Sequence, residues 1–181
     1  MILSKYAAID IGSNAVRLLV SNVIERKNKP TLFTKNAMVR VPIRLGQDTF
    51  TNGSIGILKQ QKMIDTMFSF KKLMEVHGVS HYMACATSAL REAKNGNEII
   101  DRIYNETKVN IELISGNREA EIIAMTDLYE FIKPHKSYLL IDVGGGSTEL
   151  TIIDKGKKIK SKSFKIGTVR LLNNMVSEQE L

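Results

Sequence analysis

The chain has 181 residues, 43% of them hydrophobic and 25% charged, with 26 Lys plus Arg against 19 Asp plus Glu and a formal net charge of +7. This composition excludes a disordered chain, bounds the fold to one domain or two small ones, and favours acidic partners such as phosphorylated metabolites and polyanions. No apolar run reaches membrane-spanning length, and the amino terminus "MILSKYAAIDIG" meets Lys5 and Asp10 before a signal-peptide core could form, so a cytoplasmic protein with no membrane partner is expected.

Residues 6–11, 16–23 and 31–41 read as three strands of a meander. The period then changes to a helical one over residues 55–76, where Met63, Met67, Phe70 and Met74 form a core stripe and Gly78 follows as a C-cap. A strand at 81–86 contains the lone Cys85, read as a structural thiol. After it come a helix from Ser88, a helix at 98–107, a strand at 111–114 and a helix at 118–131. The last third returns to strands at 138–142 and 149–153, a tight turn at Lys155 and Gly156, and a strand running to Phe164. Strands alternating with helices imply an α/β sheet.

One unit occurs twice. Laid together without a gap, "YAAIDIGSNAVRLLV" from Tyr6 and "YLLIDVGGGSTELTI" from Tyr138 match at Tyr, Ile, Asp, Gly and Leu, with apolar positions facing apolar positions. Each copy is a strand, an Asp, a glycine turn and a second strand, which predicts two related lobes whose turns face a shared cleft. Glycine turns present consecutive backbone N–H groups to an oxyanion and leave room for phosphate to approach. Asp10 and Asp142 would lie at the strand ends beside it, and carboxylates next to phosphate call for a bridging cation, for which Mg²⁺ is the physical complement.

The two D-x-G hairpins resemble the phosphate-binding loops of the actin-like superfamily. Three further segments, "ATSALREAKNG" at Ala86, "ISGNREAEII" at Ile114 and "FKIGTVRL" at Phe164, stand in order with them. Together the five resemble the exopolyphosphatase and guanosine pentaphosphate phosphatase family. The resemblance implies an actin-like (ribonuclease H-like) α/β lobe over 1–118 and the start of a second, truncated lobe over 119–181, with mixed sheets and flanking helices. It also implies hydrolysis of terminal phosphate from polyphosphate or guanosine pentaphosphate, with Mg²⁺ as cofactor.

In that reading Glu119, in the first turn of a helix at the lobe junction, matches the family's catalytic base, and Asp142 and Glu149 serve metal and water. Asp10 is their counterpart in the first loop. Gly12, Ser13 and Asn14 of the first loop and Gly144, Gly145, Gly146, Ser147 and Thr148 of the second would hold phosphate, with Arg91 as a clamp. Read from the residues alone, Arg91 is as well explained as a surface residue after a Thr87 or Ser88 cap, and Glu119 as an acid favouring the helix dipole behind a Ser115 or Asn117 cap.

The chain departs from the family pattern at Ala15, where a second Ser is frequent, and at Arg118, where an acid is frequent. Ser177 and Glu180 form a capping box for a helix that does not follow, so a truncated piece is expected. Seven basic residues between Lys155 and Arg170, and six between Arg26 and Arg44, stand without an acid. They read either as solvated edge strands or as a track for a polyanion's tail. Few aromatics interleave with them, which disfavours nucleic acid. His77, His81 and His135 lack ligand spacing. An ATP-dependent kinase, a chaperone-like ATPase and a non-catalytic sensor of polyphosphate or alarmone remain alternatives, and a homodimer is left open.

Overall fold

A computed structural model describes residues 1–124, 133 and 135–176. The first three strands form as the alternation predicts: β1 (Ile2–Ile11), β2 (Val16–Arg26) and β3 (Lys29–Val41), paired antiparallel. Ala7, Ile9 and Ile11 pair with Val20, Leu18 and Val16, and all six are buried on one face. Asp10 and its cross-strand partner Arg17 therefore lie on the other face, because side chains alternate along a strand.

No helix is expected between residues 41 and 55, yet α1 (Leu45–Asn52) forms there. Its start carries no cap signal. Arg44 precedes it with φ 60 and no side-chain cap bond, and the helix is held by burying Leu45, Gly46, Thr49 and Phe50. The methionine helix, α2 (Ile57–His77), buries its predicted stripe and ends at Gly78, whose φ of 68 suits a glycine C-cap. Next come β4 (His81–Ala86), α3 (Ser88–Glu92), α4 (Gly96–Thr107) and the short β5 (Glu112–Leu113). The order β3-β2-β1-β4-β5 makes a mixed five-stranded sheet, in which β4 is parallel to both β1 and β5.

α5 (Gly116–Ala124) leads away from this sheet and packs on β8 and β7 of the next one. The helix expected over 118–131 thus begins two residues early, and its remainder lies outside the described residues. The second sheet consists of β6 (Ser137–Val143), β7 (Thr148–Asp154) and β8 (Lys157–Phe164), all antiparallel. β7 and β8 are joined through Lys155 and Gly156 at φ 50 and 75, the left-handed pair that a two-residue hairpin turn requires. α6 (Thr168–Leu172) follows. Ser177 and Glu180, the expected capping box, lie outside the described residues.

This is the α/β class expected, with a mixed sheet and flanking helices. The internal repeat is longer than the paired hairpins: β1, β2, β3 and α1 correspond in order and pairing to β6, β7, β8 and α6. Even the turn bond repeats. Gly12 N–H donates to Ala15 O at 3.1 Å, and Gly144 N–H to Ser147 O at 2.8 Å. Val169 of α6 joins the core of the five-stranded unit, so the two units pack together. No described helix is long and apolar enough to cross a membrane.

Candidate active site

The two glycine turns touch and share the wall of a cavity of about 470 Å³. Gly12, Ser13 and Asn14 of the first turn line it, as do Gly144, Gly145 and Ser147 of the second. Three acids also reach its wall: Asp10 from the end of β1, Asp142 from β6 and Glu119 from the first turn of α5. Ser115 caps that helix, since its Oγ accepts the Arg118 N–H at 3.2 Å. The alternative cap, Asn117, is already helical.

Glu119 is the most unusual group here. Its side chain is 19% exposed, and Oε2 is buried with no hydrogen-bond partner among the described residues. Burial first, and then the charge of Glu149, push its carboxyl up to about 7, against the pull of Arg91 and with further pushes from Asp10 and Asp142. Arg91 Nη1 stands 3.7 Å from Glu119 Oε2, beyond hydrogen-bond reach, and donates to Ile114 O at 2.7 Å. Arg91 is therefore stationed behind Glu119 and does not line the cavity. Neither Thr87 nor Ser88 caps α3 through its side chain: Thr87 Oγ1 lies 3.4 Å from Ile11 O, and Ser88 Oγ is 2.9 Å from Ser13 Oγ.

Three more expected site residues stand off the cavity wall. Gly146 is buried. Thr148 Oγ1 donates to Ile166 O at 2.5 Å, tying β7 to the segment before α6. Glu149, 3% exposed, accepts a bond from Ser163 Oγ at 2.7 Å and lies directly across the strand pair from Asp142.

The glycines divide by what presses on them. A Cβ on Gly144 would meet Ser147 O at 3.1 Å and otherwise only Ser147 N, at 4.0 Å. On Gly145 it would come within 2.9 Å of Ser13 Cβ, and on Gly146 within 2.4 Å of Ser88 Oγ and 2.5 Å of Phe50 Cζ. The second loop is bare at these two positions because the five-stranded unit packs against it.

Two arginines were not singled out for the site by sequence reasoning. Arg17 pairs with Asp10 at 3.1 Å; burial raises the Asp10 carboxyl, and Arg17 opposes that rise. Its place was readable, since the gapless match sets Arg17 against Glu149. Arg170, counted in the basic track, is 8% exposed and paired with Glu92, so it does not belong to a solvated face. Lys157, Lys158, Lys160 and Lys162 of the track are exposed on β8, and Lys155 and Lys165 are exposed just outside it.

The cleft can be set beside known proteins. The chain is 30% identical over 168 residues to exopolyphosphatase 1 of Mycobacterium tuberculosis, a match that spans 92% of the chain and 47% of the relative. It is 31% identical over 179 residues to the bifunctional 3-dehydroquinate synthase/phosphatase of Fusobacterium nucleatum, over 97% of the chain and 27% of that protein. Two crystal structures share the fold. An exopolyphosphatase from Cytophaga hutchinsonii superposes with a TM-score of 0.81 at 30% identity, over 94% of the chain and 53% of that structure. A Ppx/GppA family member from Aquifex aeolicus superposes with a TM-score of 0.79 at 27% identity, over 95% and 54%. The chain spans about half the length of these relatives, and less of the bifunctional one. The profile of the Ppx/GppA phosphatase family matches residues 23–181, and the chain belongs to that family.

Proposed function

We propose that the chain carries the phosphate-binding cleft of a phosphohydrolase that releases terminal phosphate from inorganic polyphosphate, with guanosine pentaphosphate as the second substrate class. The observation that carries this reading is Glu119. A carboxylate on the wall of the cleft that both glycine turns line, with an oxygen unpartnered among the described residues and a pKa near neutrality, has what a general base at working pH needs. Glu119 takes a proton from water as the water oxygen bonds to the terminal phosphorus, and the bond from that phosphorus to its bridging oxygen breaks. Free amides of both turns and Arg91, acting through Glu119, orient the reactants.

Hard oxygen donors at Asp142 and Asp10, with Glu149 behind them, suit Mg²⁺ in kind. Among the described residues no three such side chains form a ligand cluster, so water and substrate would have to complete the shell of an ion held there. When bound, it would neutralise phosphate charge.

Phosphate release from polyphosphate, guanosine pentaphosphate and ATP, measured side by side with and without Mg²⁺, tests the reading. Preference for polyphosphate with loss in Glu119→Gln supports it. ATP hydrolysed at least as well as the other two would favour an ATPase of the same fold.

A further inference from the structure

The carbonyls of Gly144, Gly145 and Gly146 are each claimed by the opening of α6. Thr168 N–H donates to Gly144 O at 3.0 Å, Val169 N–H to Gly145 O at 2.9 Å, and Arg170 Nε to Gly146 O at 2.6 Å. No peptide in the described chain is cis, and in a trans peptide the carbonyl and the next N–H point opposite ways. Holding these three carbonyls therefore turns the N–H groups of Gly145, Gly146 and Ser147 away from α6. None of the three donates to a protein acceptor among the described residues.

The third bond differs from the other two. It comes from a side chain, and that side chain also reaches the other unit. The Arg170 guanidinium pairs with Glu92 of α3 and lies 4.1 Å above the Phe50 ring of α1. A guanidinium this buried is stable only when its charge and donors are matched. Here its matches are the loop on one side and the five-stranded unit on the other. Glu92 is the neighbour of Arg91, which stands behind Glu119, so one short helix holds both the loop's anchor and the base's counter-charge.

We propose that Arg170 is a positioning residue that fixes the Gly146–Ser147 peptide toward the cleft and sets the distance between the second glycine turn and Glu119. What those amides then bind rests on the phosphohydrolase reading. Their ordering by Arg170 does not.

The test combines ¹⁵N relaxation of Gly145, Gly146 and Ser147 with steady-state hydrolysis of tripolyphosphate, for wild type, Arg170→Lys and Glu92→Gln. Lysine keeps a charge for Glu92 but has no Nε fork to span loop and acid together. Arg170→Lys is expected to lower the loop order parameters from about 0.85 to below about 0.6 while the strands stay rigid. It should also lower kcat by about tenfold to a hundredfold, with KM changed much less, as for a charge-assisted bond that matters in the transition state. Glu92→Gln should show the same pattern more weakly, and it tests the anchor should Arg170→Lys not fold. A loop that stays rigid in both variants overturns the proposal, as does a fall in thermal stability with kcat intact. A wild type that neither binds nor hydrolyses tripolyphosphate overturns the phosphohydrolase reading instead, and the relaxation arm still decides the role of Arg170.

Discussion

Arg17 and Glu149 occupy the same place in the two hairpins and carry opposite charge. Arg17 faces Asp10 across one strand pair and bonds to it, while Glu149 faces Asp142 across the other. Arg17 offsets Asp10 in the first hairpin, whereas the second sets two acids opposite each other, and after burial Glu149 is the largest push on Glu119, ahead of Asp10 and Asp142. Glu149→Gln removes that neighbour, so the Glu119 pKa should fall from about 7 toward its ordinary value. The acid limb of a pH–rate profile should move to lower pH, and an unmoved limb would disconnect the two residues.

Glu119→Gln should lower turnover by about 10²–10⁴-fold, the range for loss of a general base, with the fold kept. Stability supplies a second readout with a definite sign. The Glu119 pKa is raised on folding from 4.5 to about 7, so its contribution to stability is fully present below 4.5 and is lost as pH rises through 7. The Gln variant escapes that loss. Its advantage over wild type in denaturant unfolding should be absent near pH 4 and grow to a value on the order of 3 kcal/mol above pH 8. An advantage independent of pH would contradict the shift.

Gly167→Ala should destabilise the chain by about 1–3 kcal/mol, because its Cβ would sit 2.4 Å from Gly145 O and 2.6 Å from Gly146 C, backbone atoms that cannot swing aside. Gly144→Ala, with no clash under 3 Å, should cost less. Thermal unfolding of the pair checks the order. For the same reason, valine at Gly145 does not isolate phosphate binding: it would part the second turn from Ser13 as well as fill the cleft.

Neutralising Lys157, Lys158 and Lys160 together should weaken long polyphosphate much more than a short substrate, and make the loss steeper at low salt, since each phosphate contact releases counterions. Catalytic efficiency for both substrates at two salt concentrations decides between this and a β8 edge whose lysines only block strand pairing.

The meander, the methionine helix and the repeated hairpin were legible because each leaves a periodic or duplicated trace in the sequence. α1 leaves none: a left-handed Arg44 and a buried Gly46 start it, and both are tertiary effects. The bare second turn was read as space for phosphate, yet Gly145 and Gly146 are pressed by Ser13, Ser88 and Phe50, and a run of glycines looks the same for either cause. The partners of Arg91 and Arg170 were hidden for a related reason. Arg170 meets Glu92 across 78 residues of chain, and local charge counting cannot see that far.

A turn tied down at three successive carbonyls cannot work as a flap. Any widening of the cleft has to carry β6, β7, β8 and α6 along as one body, and to part Val169 and Arg170 from the five-stranded unit as it does so. Ligand entry and exit would then be timed by a domain-scale rocking in the microsecond-to-millisecond range, not by the nanosecond flicker of a loop.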